Sequence, residues 1–65
     1  MEFILKIRCR GAAFGEDGDD TMRNMEVIRI LDKVKVGLDL YRTEGPCLDI
    51  NGNTVGGYEF VEESA

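Results

Sequence analysis

The sequence predicts an α+β fold of β-α-β-β order, with a three-stranded antiparallel sheet (order 1-3-2) and one helix packed on one face. Three observations carry this. Residues 2–10 alternate between apolar and polar, residues 21–36 place apolar side chains at helical spacing, and residues 46–61 are two apolar-rich runs split by Asn51-Gly52-Asn53. A right-handed crossover from the first strand through the helix makes the second strand parallel to the first, and the last strand is then antiparallel to both. Placed centrally, it completes a wholly antiparallel sheet.

The first strand, 2–10, sets Phe3, Leu5, Ile7 and Cys9 on one face and Glu2, Ile4, Lys6, Arg8 and Arg10 on the other. Gly11 ends it. Residues 11–20 form a loop, broken by Gly11, Gly15 and Gly18 and carrying the acids Glu16, Asp17, Asp19 and Asp20. Asp19, Asp20 or Thr21 can cap the helix that follows, and the neighbouring carboxylates favour the positive end of its dipole.

The helix is expected over 21–36. Val27, Ile28, Leu31, Val34 and Leu38 follow one stripe at period 3.6, with Met25 beside it. Gly37 is a natural C′ residue, and Lys33 and Lys35 favour the negative end of the dipole. A rival reading exists here, because "VKVGLDLY" also alternates and could form an extra strand after a shortened helix.

A connection at 37–45 leads to the hairpin at 46–61, and 62–65 is a polar tail. Asn51-Gly52 between the two runs predicts a type I′ turn, which requires φ > 0 at both central residues. Gly56-Gly57 inside the second run predicts a bulge or a close backbone approach. The expected core is Phe3, Leu5, Ile7, Val27, Ile28, Leu31, Val34, Leu48, Ile50, Tyr58 and Phe60. On the other sheet face Lys6, Arg8 and Arg10 stand beside Asp49 and Glu59, so cross-strand charge pairs are expected there.

At 65 residues the chain reads as a single domain, 1–65, with a thin core and little room for a deep pocket. Thirteen Asp and Glu against eight Lys and Arg give net −5, the wrong sign for direct, non-specific binding to a phosphate backbone. The absence of His excludes His-based acid/base catalysis and His-containing zinc sites. Cys9 and Cys47 are too few for a disulfide framework; each is expected as a small half-buried residue in a reducing compartment, with a single Cys9–Cys47 bridge as the alternative. "MEFILKIRCR" lacks the features of a signal peptide, and no run approaches the ~20 apolar residues of a membrane span. A soluble cytosolic protein without membrane contact is the expectation.

Motifs for chemistry fail on inspection. Asp49, Asn51 and Asn53 fit positions 1, 3 and 5 of a calcium loop, but Thr54 stands where Gly is required and Phe60 where the bidentate Glu is required. "GAAFGEDG" lacks the G-K-[ST] ending of a phosphate loop, and its carboxylates repel phosphate. Paired acids in the loop are expected to be exposed and solvated rather than to do acid/base work. No enzyme activity, cofactor or metal is therefore expected. What remains is surface: acids clustered on a small rigid scaffold can imitate the charge spacing of phosphates to a basic groove.

The segment "LDINGNTVGGYEF" resembles the C-terminal hairpin of small acidic phage and prophage proteins, with a D-x-N-G-N-x-V-G-x-aromatic-E-F pattern. Asp49, Asn51, Gly52, Asn53, Val55, Gly56, Tyr58, Glu59 and Phe60 carry the match. It covers about a fifth of the chain; the connection at 38–45 and the acidic loop at 16–20 are less typical. Proteins of this size and acidity include anti-CRISPR proteins, non-enzymatic binders of Cas effector complexes, some of them DNA mimics. The resemblance implies a phage-encoded inhibitor in the bacterial host cytosol. Its partner would be a host protein or complex with a basic nucleic-acid-binding groove, such as a type I Cas effector. Glu16, Asp17, Asp19, Asp20 and Glu26 would form the acidic contact surface. The alternative is a phage accessory or structural domain that binds a protein partner through its sheet edge or hairpin.

Overall fold

The computed structural model describes residues 1–15 and 18–63. Its elements run in the expected order: β1 (Glu2–Ile7), a short 3₁₀ turn (Ala12–Phe14), α1 (Asp20–Asp39), β2 (Glu44–Leu48) and β3 (Thr54–Val61). The sheet is antiparallel throughout, in the order β1-β3-β2, with α1 against one face. The fold is α+β, as the sequence pattern predicts.

β1 is shorter than the alternation from 2 to 10 suggests. Its register runs from Glu2 opposite Val61 to Ile7 opposite Gly56, and the N–H of Arg8 makes a last bond to the Val55 carbonyl at 2.7 Å. β3 begins at Thr54, so its ladder with β1 runs out within one residue of Arg8. At Gly56 a Cβ would collide with the Lys6 carbonyl, so the close backbone approach read from Gly56-Gly57 is real. The bulge lies beside it, where the β2–β3 register shifts between Cys47 and Leu48.

α1 is longer than expected, 20 residues from Asp20 to Asp39, which settles residues 34–39 as helix rather than strand. Asp19 is the N-cap, its carboxylate accepting from the Met22 N–H at 3.0 Å. Gly37 does not end the helix. It lies under Tyr58, where a Cβ would collide with the Tyr58 hydroxyl, so its role is to let helix and sheet approach. Termination comes four residues later in a Schellman arrangement: the N–H groups of Tyr41 and Arg42 donate to the carbonyls of Leu38 (2.9 Å) and Gly37 (3.1 Å). This puts Tyr41 at φ +61, the left-handed region where Gly is the usual occupant.

The core comprises Ala13, Phe14, Ile30, Val34, Cys47, Val55 and Tyr58, with Leu5, Ile7, Val27 and Leu38 packed against it. Val34 and Tyr58 are buried as expected, but Phe3, Ile28, Leu31, Leu48, Ile50 and Phe60 are exposed. The helix is turned relative to the stripe read from sequence, and it buries Glu26, Ile30, Val34 and Gly37 at spacings of 4, 4 and 3. Apolar residues occur around most of α1, so hydrophobicity does not select the face. Closeness of approach does, and Gly37 provides it. The loop segment Ala13-Phe14 supplies core that strand and helix patterns do not reveal.

Candidate functional site

Of the acids expected to form the contact surface, the described ones, Asp19, Asp20 and Glu26, do not form one cluster. Glu16 and Asp17 lie outside the described residues. Asp19 caps α1, and Asp20 pairs with Arg23 one turn on, at 3.0 Å, with both side chains exposed. Glu26 departs from the expectation altogether, because its residue is only 6% exposed and faces the hairpin. Its position on the helix face opposite Ile50, rather than on the solvent face, is the reason.

There Glu26 builds a clamp. One carboxylate oxygen accepts from Arg29 Nε at 2.6 Å and the other from the Ile50 N–H at 2.8 Å. Arg29 in turn donates from Nη2 to the Leu48 carbonyl at 2.8 Å. Helix and hairpin are thus joined through charge-assisted hydrogen bonds, the strong kind. The Arg29 guanidinium holds the Glu26 carboxyl below its ordinary range against the opposing effect of burial, with the Ile50 N–H adding to it. The Glu26 carboxylate likewise raises Arg29.

The hairpin residues organise the loop itself. Asp49 is buried; its Oδ1 accepts from the N–H groups of Asn51 and Asn53, both at 2.9 Å, and its Oδ2 from the Asn53 side chain at 3.2 Å. These bonds, led by the Asn53 N–H, hold the Asp49 carboxyl below its ordinary range. The turn is not the two-residue type I′ expected from Asn51-Gly52. Gly52 N–H bonds the Asp49 carbonyl at 3.0 Å, Asp49 N–H bonds the Asn53 carbonyl at 2.9 Å, and Gly52 takes φ +86 while Asn51 does not take positive φ. That is a three-residue loop with a glycine in the left-handed region, the next commonest hairpin solution. The Asp49 carboxylate selects it by satisfying two N–H groups that a tighter turn would place elsewhere. Asp49 is therefore unavailable to Lys6 or Arg8, and the expected charge pairs on the bare sheet face do not form with it; Arg8 bonds the Thr54 carbonyl instead.

Between α1 and β2 lies a groove of about 450 Å³. Its wall includes Val36 from the helix, Leu40 at its C-cap, and Leu48 and Ile50 from the strand and hairpin, all four exposed. The charged groups along it are Arg29, Lys33 and Arg42, together with Asp49, whose carboxylate is turned into its own loop. The result is an apolar trough with a basic margin on an acidic protein. Neither the groove nor Glu26's part in shaping it was read from the sequence. A signal was present in the spacing of Glu26 and Arg29, three apart on the helix and suited to pairing.

Nucleophilic chemistry has little to build on. Cys9 and Cys47 are both free thiols; Cys9 is exposed, against the half-buried expectation, and Cys47 is buried, which raises its thiol pKa and disfavours the thiolate. Among the described residues no three His, Cys, Asp or Glu side chains gather as metal ligands, and no helix is long and apolar enough to cross a membrane. In comparisons with known proteins, the chain matches no family model, no curated protein and no solved structure. The likeness of the hairpin to phage proteins therefore rests on its residues alone.

Proposed function

We propose that this protein is a non-enzymatic protein-interaction module that seats an acidic, apolar-faced segment of a partner protein in the α1–β2 groove. The observation that carries the reading is the pairing of exposed Val36, Leu40, Leu48 and Ile50 with the cations Lys33 and Arg42 at the margin, Arg29 being already paired with Glu26. Apolar anchors supply binding energy, and cations around them select an acidic ligand and steer its approach.

The test is selection of short peptides from a random displayed library against the whole chain. Enriched peptides should combine Asp or Glu with spaced apolar residues. Their binding should weaken about tenfold or more in a Lys33→Glu, Arg42→Glu variant, since like charges now meet across the contact. Enrichment without acidic character, or binding indifferent to the variant, refutes the reading.

The second reading is an inhibitor of anti-CRISPR type that blocks the DNA-binding site of a Cas effector with an acidic, DNA-mimicking surface. Exposed Asp19 and Asp20 at the start of α1 and the net charge of −5 support it, without Glu26. It requires that a purified type I effector bind the protein in competition with its target DNA. Binding should be lost when Glu16, Asp17, Asp19 and Asp20 become Gln or Asn, and should fall steeply with salt. Binding that survives those substitutions removes this reading and leaves the groove.

A further inference from the structure

We propose that the free edge of β1 pairs with the β1 edge of a second copy of this chain, antiparallel and centred on Ile4. The two sheets then become one continuous sheet across the dimer.

The backbone supplies the first argument. Arg8 donates its N–H to Val55 across the β1–β3 ladder at 2.7 Å. Alternation along an antiparallel pair then directs the polar backbone groups of Glu2, Ile4 and Lys6 toward β3. Those of Phe3, Leu5 and Ile7 point to the open edge. Only the Ile7 carbonyl has a nearby donor there among the described residues, the Cys9 thiol at 3.8 Å. An uninterrupted strand without Pro or bulge, presenting free N–H and C=O groups, is a template for another strand.

The side chains choose the occupant. With Ile4 opposite the second copy's Ile4, Glu2 stands opposite the second copy's Lys6, and the two-fold axis repeats that pair. Phe3 stands opposite the second copy's Leu5, and these two positions have the outward backbone groups needed to exchange hydrogen bonds. Both faces therefore agree at one register: opposite charges and Ile4 on the bare face, Phe3 and Leu5 on the helix face, where Phe3 already packs on Phe60 with ring centroids 5.0 Å apart. Recentring on Leu5 sets Lys6 against Ile4 and calls on Arg8, whose guanidinium is held by the Thr54 carbonyl at 3.2 Å. The strand is complementary to itself, so a second copy fits it better than an unrelated chain.

Sedimentation equilibrium of the whole chain over a concentration series tests this. The wild type should associate to a dimer. Glu2→Lys and Lys6→Glu, both at exposed positions, each place like charges at both ends of the pairing and should weaken the dimer about tenfold or more. An equimolar mixture of the two variants should recover association, because each then meets its complement. The Glu2→Lys, Lys6→Glu double variant keeps the net charge and should dimerise like the wild type, which maintains the test if a single variant fails to fold by circular dichroism. A wild type that stays monomeric throughout overturns the proposal. So do single variants that dimerise undiminished, or a failure of both the mixture and the double variant to recover the dimer.

Discussion

Along the β2 edge, Pro46 has no N–H to offer, the register is interrupted between Cys47 and Leu48, and the Leu48 carbonyl is taken by Arg29. The β1 edge has six residues in unbroken register with β3 and no Pro, and among the described residues only the Cys9 thiol, at 3.8 Å from the Ile7 carbonyl, approaches its outward backbone groups. Edge strands attract further strands unless something prevents it. One edge of this sheet is closed to strand addition and offers a side-chain groove in its place, while the other keeps its backbone available. Two kinds of contact are thus separated onto opposite edges, and each can be perturbed alone.

The largest effect should come from Gly56→Ala, which forces a Cβ into the Lys6 carbonyl and pushes β1 from β3. We expect a loss of about 3 kcal/mol or complete unfolding, read by urea denaturation. Retention of wild-type stability would mean that β1 is not seated as closely as described. On the other edge, Glu26→Ala strips the Ile50 N–H and Arg29 of their acceptor and should cost about 2 kcal/mol. Glu26→Gln keeps an acceptor for Ile50 and should cost less. In native-state hydrogen exchange, either variant should expose the Ile50 amide before those of β1.

Acid should discriminate between the edges in the same sense. Glu26 and Asp49 titrate below their ordinary values of 4.5 and 3.8 in the folded protein, so their charged forms favour folding. That stability is fully present above about pH 5 and is lost as pH falls through the folded values, because the unfolded chain takes up protons first. Thermal melts between neutral and acid pH should show the loss, and Glu26→Gln should flatten the curve. A variant as acid-sensitive as the wild type would remove Glu26 from this role.

The smallest effect has the opposite sign. Tyr41 holds φ +61 with 93% of its surface exposed, so Tyr41→Gly should stabilise the fold by about 1 kcal/mol. If the substitution also weakens peptide capture by the groove that begins at Leu40, the strain is retained for binding. If stability does not rise, Tyr41 makes compensating contacts.

Much of the fold was legible because its signals are local. Alternation in 2–10, a capping residue among Asp19, Asp20 and Thr21, and the Asn51-Gly52-Asn53 turn act within a few positions, so element order and helix start follow from neighbours in sequence. Strand order followed too, since crossover handedness and hairpin pairing leave few alternatives. The candidate site was far less legible. Glu26 reads as one more surface acid until Ile50 is brought against it, and Leu48 and Ile50 read as core until the groove leaves them open.

By itself, then, the sequence determined the β-α-β-β order, the antiparallel 1-3-2 sheet, a capped start of α1 at 19–21 and a hairpin turn at Asn51-Gly52-Asn53. Tertiary structure alone decided which face of α1 is buried, where that helix ends and which acids stay on the surface. The reason is physical. α1 is apolar around most of its circumference, so its orientation depends on what can approach: Tyr58 fits over Gly37, and Glu26 finds the Ile50 N–H 24 residues away.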